Sequence, residues 1–493
     1  MKFRSFLFAG LGMALTLASA SSAFAQDKKF MRSSIYSILV NSKDQNTRLD
    51  QEAQTSDAEG YAEAIKSSGL SSLGEIPGMA FPKLTIPEQF NDHNLNIVVV
   101  DFDALANGIS EEDAAAARPK SGGAGKFLKA AAADAVGPNS SMVRVEKVDD
   151  YMHAVLNKFF EQNNTAPMMV AKWYDYDPNR KPQFDEAVIM ERGLDNASAA
   201  ELAKAAGNDD AKSMLSAQGF DLMNNTYVVA TNLRFRNNKA LAKEISDLAA
   251  GAVASGAAAA GGGALGGLAA MGAQKAAEAA ANALLKDMYS VTAVTNLYKL
   301  VWNDDIADQL ADKVLYNENA TIEDLLNSGV CKLEYVGQTK ARSGVKKDKT
   351  KTLSELAESA TGRAIDKALA KLQAEHEGFR TVVPVSKCDN GFIYAKMGTK
   401  EGIGEGDEFE ILEQYLDKNN KIGYKKVGSA KVEKGGVWFN TTGADELIAN
   451  ADEKEAEAMK AAQALDYTKL KGPKKDFSGY YLRLSKKKAK IQD

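Results

Sequence analysis

The pattern of hydrophobic and polar positions divides the chain into helical and strand-forming stretches. DDYMHAVLNKFFEQ (149–162) places apolar side chains at the spacing of an amphipathic helix. NTYVVATNLRFRN (225–237) and YSVTAVTNLYKLVW (289–302) are rich in β-branched and aromatic residues, which predicts two strands. Both stretches contain the phrase Thr-Asn-Leu in similar apolar surroundings, which indicates that they are neighbouring strands of one sheet.

Two shorter apolar runs predict further strands. NLNIVVVDFD (94–103) is a β-branched run ended by acidic residues, and TAPMMVAKWYDYD (165–177) has a similar apolar start. Before them, prolines cluster in IPGMAFPKLTIPEQF (76–90), which is typical of an extended connector. We therefore predict an extended N-terminal segment over residues 26–90.

The C-terminal third changes from helical to short-strand patterning. Thr352 and Glu355 have the spacing of a capping box, so a helix begins there, within a connecting region (331–375) of strand, basic loop and helix. The sequence DNG (389–391) is a favoured tight hairpin turn. Short strands at regular spacing then predict a small β-barrel domain over residues 376–493.

The stretch AAGAVASGAAAAGGGALGGLAAMGAQ (249–274) contains no charged residue. Its flanks have high helix propensity, and three consecutive glycines (261–263) break the helix at its middle, since glycine costs about 1 kcal/mol per site relative to alanine. We predict a helical hairpin over residues 238–286. A membrane-inserted hairpin, suggested by Gly-x-x-x-Gly spacing, and a disordered linker are the alternatives. Each arm has fewer uncharged residues than the roughly 20 that span a bilayer.

The N-terminus predicts export. Lys2 and Arg4 precede an apolar run, and Ala-Phe-Ala (23–25) has the small residues of a cleavage site. We predict a signal peptide over residues 1–25, cleaved before Gln26, and a mature protein in the periplasm or associated with the outer membrane. The first residue after the cleavage site is Gln26 and not a cysteine, so we expect no lipid anchor there.

Composition and charge fit a folded protein, and the mixture of helical and strand-forming stretches predicts the α+β class. Hydrophobic residues make up 45% of the chain and charged residues 26%, with a net charge of −5. This mild charge argues against nucleic acid as the principal ligand, which needs clustered Lys and Arg. We predict a mixed α/β domain (91–330) that contains the hairpin, followed by the small barrel. Cys331 and Cys388 either form a disulfide in an oxidising compartment or remain as two buried thiols.

Sequence motifs suggest no catalytic residue and no cofactor. Neither a His-Glu-x-x-His zinc motif nor a Gly-x-Ser-x-Gly nucleophile motif occurs. One oxygen-rich spacing remains, in which Asp175, Asp177, Asn179 and Glu186 copy the ligand positions of a calcium loop. Arg180 occupies the position that normally requires glycine, so an acidic turn is the favoured interpretation and a calcium site the alternative.

Several quoted stretches together carry a family resemblance. AKWYDYDP, FDEAVIMERGLDNAS, GFDLMNNTYVVATNLRF, YSVTAVTNLYKLVW, GTKEGIGEGDEFEILE, VGSAKVEKGGVWFN and FSGYYLRL occur in this order. The chain over residues 90–485 resembles a family of conserved exported proteins of Bacteroidota. GIGEGDEFEIL is also similar to the C-terminal small barrel of the flagellar assembly protein T. The resemblance implies an architecture and an exported location, and it transfers no catalytic residue.

Two classes of function follow from these observations. The first is a non-catalytic cell-envelope protein, a structural or interaction component of a periplasmic or outer-membrane assembly. Its partners would be envelope proteins or a second copy bound through the hairpin (238–286), with peripheral membrane contact at most and no nucleic acid. The alternative is a periplasmic ligand-binding protein or hydrolase whose site is assembled from scattered Asp, Glu and Tyr.

Overall fold

The computed structural model describes residues 33–84, 98–119, 147–176, 186–195, 219–247, 287–317, 319–345, 350–380, 382–416 and 422–485, with single residues or short runs between 87 and 95, at 184 and between 275 and 285. The chain has an α+β fold in this part, as the pattern of helical and strand-forming stretches predicts. Residues 1–32, which include the predicted signal peptide, lie outside the described part.

Helices and strands alternate irregularly along the described chain. The helices are α1 (Lys43–Ser56), α2 (Ala58–Ser68), α3 (Ile76–Ala80), α4 (Phe102–Ala106), α5 (Glu111–Ala116), α6 (Lys147–Gln162), α7 (Thr165–Trp173), α8 (Glu186–Asp195), α9 (Asp304–Leu310), α10 (Ile322–Asn327), α11 (Leu353–Glu375), α12 (Ala444–Ala449) and α13 (Glu453–Gln463). The strands are β1 (Ser33–Asn41), β2 (Phe90–Asp92), β3 (Val99–Asp101), β4 (Thr226–Asn237), β5 (Tyr289–Val301), β6 (Lys332–Val345), β7 (Val383–Pro384), β8 (Lys387–Asp389), β9 (Phe392–Ala395), β10 (Glu408–Leu416), β11 (Ile422–Val432), β12 (Thr468–Lys471) and β13 (Tyr481–Leu484).

The first sheet, called here the central sheet, has the strand order β2-β1-β4-β5-β6, and β3 also pairs with β1. β1 is parallel to β2, β3 and β4, whereas β4, β5 and β6 pair antiparallel. The Thr-Asn-Leu phrases do lie on neighbouring strands, because Thr231 of β4 is directly opposite Thr295 of β5. Their hydroxyl oxygens are 3.1 Å apart, so the shared phrase forms a buried cross-strand hydrogen bond.

Helices cover both faces of the central sheet. On one face, Val228 of β4 and Leu300 of β5 pack with apolar side chains of α6 and α7. On the other face, Leu233 of β4 and Ala293 of β5 pack against α11. All residues of β4 are buried as a result. The predicted amphipathic helix over 149–162 is confirmed as part of α6, which contributes to the first of these layers.

The second sheet is a curled antiparallel sheet with the order β7-β13-β10-β11-β12-β9-β8. Its inner face carries an apolar core that includes Ile393, Phe409 and Leu470. The predicted DNG turn joins β8 to β9, and Asn390 (φ 48°) and Gly391 (φ 84°) adopt the left-handed conformations that such a turn requires. The named pairings form an open path that ends at β7 and β8.

Helix α11 joins the two sheets. Its capping box is confirmed, since Thr352 and Glu355 exchange the two expected hydrogen bonds. Further along the helix, Arg363 Nη2 donates to Glu446 Oε1 at 3.2 Å, and these side chains are 4% and 0% exposed. This buried ion pair joins α11 to α12, the helix that follows β11 of the second sheet. The domain boundaries predicted from the sequence, including the one at 376, remain predictions.

Three predictions of local structure are wrong. Residues 26–90 are not an extended segment, because β1, α1 and α2 occupy much of this range and β1 is an inner strand of the central sheet. Residues 165–177 contain helix α7 rather than a strand, since Ala, Met and Val also suit a buried helix. The predicted strand over 94–103 is shorter than expected, with β3 followed directly by α4.

The two cysteines do not pair. Cys331 and Cys388 are both free thiols, and they pack against different apolar cores. Cys331 lies beside the core between the central sheet and α6, whereas Cys388 lies beside the core of the second sheet. Burial raises the pKa of the Cys331 thiol to about 12 and also raises that of Cys388. Both thiols are therefore protonated at neutral pH, and both are half-buried rather than fully buried as the alternative to a disulfide expected.

Candidate interaction site at the base of the helical arms

Two helical arms leave the central sheet where the hairpin is predicted. Residues 238–247 form the start of the first arm, and the described residues between 275 and 284 belong to the second. Asn237 of β4 pairs with Tyr289 of β5, so both arms leave the same end of the sheet. The predicted turn at residues 261–263 lies outside the described residues, and so does the stretch 249–274.

Asn238 joins the bases of the two arms. Its side-chain Nδ2 donates to the carbonyl oxygens of Leu284 and Asp287, both at 3.0 Å. Its Oδ1 accepts a hydrogen bond from Ser290 Oγ at 2.7 Å. Asn238 is only 1% exposed, and this one side chain uses donors and acceptor to fix the first arm against the end of the second. Neighbouring Asn237 caps the first arm by accepting from the backbone N–H of Lys239 at 2.8 Å.

Apolar and ionic contacts hold the arms to each other and to the sheet. Leu241 and Ile245, one helical turn apart, pack with Leu284 of the second arm in a small buried cluster. Arg236 of β4 donates through Nη2 to Glu244 of the first arm at 2.7 Å and to Glu52 of α1 at 2.6 Å. The described base of the arms is therefore a packed part of the protein, which does not fit the disordered-linker alternative for these residues.

A groove of about 630 Å³ lies between the arms. Each arm lines it with a stripe of residues at the i, i+3, i+4, i+7 spacing of one helix face. The stripes consist of Lys239, Ala242, Lys243 and Ser246 on the first arm, and of Glu278, Ala281, Asn282 and Leu285 on the second. Small residues give the groove its depth, and charged residues stand along its rim.

The groove presents one large apolar side chain, and its charged side chains are screened by water. Leu285 is 51% exposed, which is unusual among the large apolar residues of the described part. Lys239 forms an ion pair with Asp57 at 2.9 Å, and Lys243 forms one with Asp247 at 2.5 Å. Both lysines are more than half exposed, so these pairs contribute little to stability and can exchange for another partner.

A layer of buried charges, described here as the buried charged layer, lies on the α6 side of the central sheet near the arms. Arg234 of β4 is 0% exposed and donates through Nη2 to Asp149 Oδ1 of α6 at 2.5 Å. Lys340 of β6 approaches the other carboxylate oxygen at 3.5 Å. Burial alone raises the pKa of Asp149, but the two positive charges outweigh it and lower the pKa below its usual value. Asp149 is therefore ionised, and its role is to pair the cations.

The carboxyl end of β1 resembles the place where parallel sheets bind anions, but the protein fills it with its own carboxylate. Asn41 ends β1 and Ser42 caps helix α1. Asp103 of α4 accepts hydrogen bonds from the backbone N–H groups of Lys43 at 2.6 Å and Asp44 at 3.2 Å. These are donors that a phosphate would use at a helix N-terminus, so they are already satisfied.

His153 is the described histidine most enclosed by other groups. Its Nδ1 lies 2.9 Å from the Tyr298 hydroxyl, and its ring meets Tyr335 edge-on at 4.7 Å between centroids. Burial, aided by the positive charge of Arg118, lowers its pKa to about 4. His153 is therefore a neutral packing residue at pH 7.

The residues of the possible calcium loop are only partly described. Asp175 follows helix α7 with a left-handed backbone (φ 52°), and Glu186 is the first residue of α8. Asp177 and Asn179 lie outside the described residues. Among residues whose positions are described, no group of three or more His, Cys, Asp or Glu side chains could hold a metal ion. The calcium site remains an untested alternative.

A small cavity of about 40 Å³ lies between α11 and the second sheet. Gln89, Gln373, Arg380 and Glu401 supply its polar lining. A cavity of this volume has room for about three waters. Burial raises the pKa of Glu401, and hydrogen bonds from Asn440 and the Gly398 N–H partly offset that rise. This space is far below the size of a small-molecule site.

No family model, curated protein or solved structure matches the chain. The resemblance to exported proteins of Bacteroidota stays a prediction. None of the described helices combines the length and apolar character needed to cross a membrane.

Neither the groove nor the buried charged layer was predicted from the sequence, although each has a signal there. The two stripes repeat at helical spacing on either side of the Gly/Ala stretch. In TNLRFRN (231–237), polar residues at 232, 234 and 236 alternate with Leu233 and Phe235, so one face of the strand is polar. The partner Asp149 is far away along the chain, and only the fold brings it to Arg234.

Proposed function

We propose that this protein is a non-catalytic, exported component of a cell-envelope assembly that uses its helical hairpin as an interaction element. The groove between the two arms is the observation that carries the proposal. It combines a half-exposed leucine, small residues along its floor and charges of both signs on its rim. The export signal predicted at residues 1–25 supports the envelope location. The short strands of the second sheet support a small β-barrel as the finer architecture of residues 376–493.

The partner that the groove suits best is a second copy of the same hairpin. The first arm carries Lys239 and Lys243 on its rim, whereas the second carries Glu278. A two-fold axis along the groove would place the basic stripe of one copy opposite the acidic stripe of the other. Ala242 and Ala281 let helix backbones approach closely, as small residues do in helix packing.

A substitution at the exposed leucine tests this proposal. Leu285→Glu should weaken self-association at least about tenfold, because a symmetric contact loses two buried leucines and gains two charges. Sedimentation equilibrium over a range of concentrations measures this change. Leu465→Glu is the matched control, since Leu465 is 38% exposed and lies on the second sheet's side of the molecule. Both variants should keep the wild-type melting temperature within about 2 °C.

A charge exchange provides the second part of the test. Lys243→Glu alone should weaken the dimer, and adding Glu278→Lys should restore much of the loss. If the wild-type protein is monomeric at every concentration, self-association is wrong, and a pull-down from crosslinked envelopes then searches for another protein. Recovery of no specific partner in that experiment would leave the interaction role without support.

A further inference from the structure

The outer face of the second sheet carries lysines in a regular order. Lys387 of β8 pairs with Tyr394 of β9, which pairs with Lys469 of β12, so these three side chains share one face. Their neighbours Ile393 and Leu470 point to the other face and are buried in the apolar core. The alternation is therefore hydrophobic inside and basic outside, and water reaches this outer face.

The next rung of the same face places two like charges together. Lys471 of β12 is directly opposite Lys431 of β11, and Phe392 of β9 is its neighbour on the other side. Both lysines are exposed. Like charges directly opposite each other in a sheet repel, and Glu408 of β10, which is directly opposite Lys431 on its other side, offsets part of this repulsion.

Two more lysines extend the basic surface at the sheet's end. Gly472 donates its backbone N–H to Gly391 at 2.9 Å, which brings the loop after β12 against the DNG turn. Lys474 lies directly over Gly391, and Lys475 follows it near the ring of Tyr480. The basic face, as the surface is called here, comprises Lys387, Lys431, Lys469, Lys471, Lys474 and Lys475.

The charge of the basic face is not compensated by ion pairs. Within the described part of the chain, none of its six lysines lies within ion-pair distance of a carboxylate, whereas Lys426 on the adjoining surface pairs with Glu410. Two carboxylates share this rung, since Glu408 of β10 is directly opposite Lys431 and Asp389 of β8 is directly opposite Phe392, against six lysines in the basic face. Positive charge therefore exceeds negative charge on this face.

Aromatic rings hold the lysines along the sheet. The Nζ atom of Lys469 lies 3.8 Å from the ring centroid of Phe392. That of Lys387 lies 4.5 Å from Tyr394 and 5.5 Å from Tyr467. These cation–π contacts keep the ammonium groups close to the sheet surface, where they form a broad positive plane rather than a set of freely moving chains.

We propose that the basic face binds a lipid bilayer through its anionic phosphate headgroups. Lysine suits this role because it is a compact point charge, and clustered lysines are attracted to the negative surface of an anionic bilayer. A single-stranded nucleic acid fits less well, since base stacking needs open ring faces and lysines already cover Phe392 and Tyr394. This surface is separate from the hairpin groove and does not depend on the proposed function.

Vesicle cosedimentation of the full-length protein tests the proposal. Wild-type protein should bind vesicles of equal parts phosphatidylcholine and phosphatidylglycerol but not pure phosphatidylcholine vesicles. The triple variant K431Q/K471Q/K474Q should lose about a hundredfold in vesicle affinity. The matched control K66Q/K454Q/K460Q removes the same charge from exposed helix positions and should stay within about threefold of wild type.

Three further measurements make the result decisive. The triple variant should melt within about 2 °C of wild type, because loss of the Lys431–Lys471 repulsion offsets loss of the attraction between Lys431 and Glu408, so lost binding would not reflect lost folding. Salt at about 1 M should abolish wild-type vesicle binding. Leu285→Glu should bind vesicles like wild type, which separates this surface from the hairpin.

Any of four results would overturn the membrane proposal: no wild-type binding to the anionic vesicles, equal loss in the triple variant and its control, salt-insensitive binding, or tight binding of an oligothymidylate with none to vesicles. The last result would assign the basic face to nucleic acid instead.

Discussion

The two sheets treat charged residues in opposite ways. In the central sheet, Arg234 and Arg236 are at most 3% exposed, and each donates to carboxylates on surrounding helices. On the second sheet, Lys431 and Lys471 are exposed on the outer face and directly opposite each other, and among the described residues neither lies within ion-pair distance of a carboxylate. The difference follows from layering, because helices cover both faces of the central sheet near β4, whereas these two lysines are exposed in the described part of the molecule.

Layering also decides what each set of charges can do. A buried cation must be paired, since an uncompensated charge in a dry core costs several kcal/mol. Arg234 is thus committed to Asp149, and Arg236 to Glu52 and Glu244. An exposed lysine is hydrated whether or not it is paired, so it can exchange water for an external anion. The central sheet uses charge for structure, and the second sheet has charge left for a partner.

The largest expected effect comes from breaking one buried pair. Asp149→Ala should lower the free energy of unfolding by about 3–5 kcal/mol, because it leaves Arg234 buried without its counter-charge. Urea denaturation measures this change. The next residue supplies the control, since Asp150 pairs with Arg118 at the surface and both side chains are at least 40% exposed. Asp150→Ala should cost about 1 kcal/mol or less.

Similar losses in the two variants would contradict this view of the central sheet. A small loss in Asp149→Ala would mean that water reaches Arg234, and the contrast between the sheets would disappear. A double variant in which Arg234→Met accompanies Asp149→Ala should recover part of the loss, because it removes the unpaired charge itself.

Local signals in the sequence predicted the parts of the fold that depend on neighbouring residues. The DNG turn, the Thr352 capping box and the helix over 149–162 are all confirmed. The pairing of β4 with β5 was also predictable, since both strands are long, β-rich and joined by the two arms. In these cases the pattern within a single stretch determines one conformation.

Long-range packing accounts for most of what the sequence did not reveal. TAPMMVAKW (165–173) is apolar enough for a buried strand, and its helical state depends on its packing between α6 and the central sheet. The proline-rich connector suggested an extended N-terminus, although β1 completes the parallel part of the sheet. The groove needed both arms placed side by side, and the buried charged layer needed Asp149 brought to Arg234.

A pH change should have an intermediate effect on the stability of the core around His153. His153 is held neutral with a pKa of about 4, below its ordinary value near 6.5. The unfolded chain therefore binds the proton first as pH falls, so stability is lost between roughly pH 6.5 and 4. From pH 7 to 5, wild type should lose about 2 kcal/mol more than His153→Gln, by urea denaturation at each pH. Equal losses would place His153 in contact with water.

The smallest effect tests whether the basic face costs the fold stability. Lys471→Glu replaces a like-charge pair across β11 and β12 with an attractive one, because Lys431 stays directly opposite. The free energy of unfolding should rise by about 0.5 kcal/mol at low salt, and the gain should vanish near 1 M salt, where the Debye length is about 3 Å. Urea denaturation at both salt concentrations measures the gain.

A variant less stable than wild type at low salt would show that Lys471 supports the sheet. A gain that persists at high salt would come from strand propensity rather than charge. Only a gain that salt removes fits a face whose charges repel until a partner covers them.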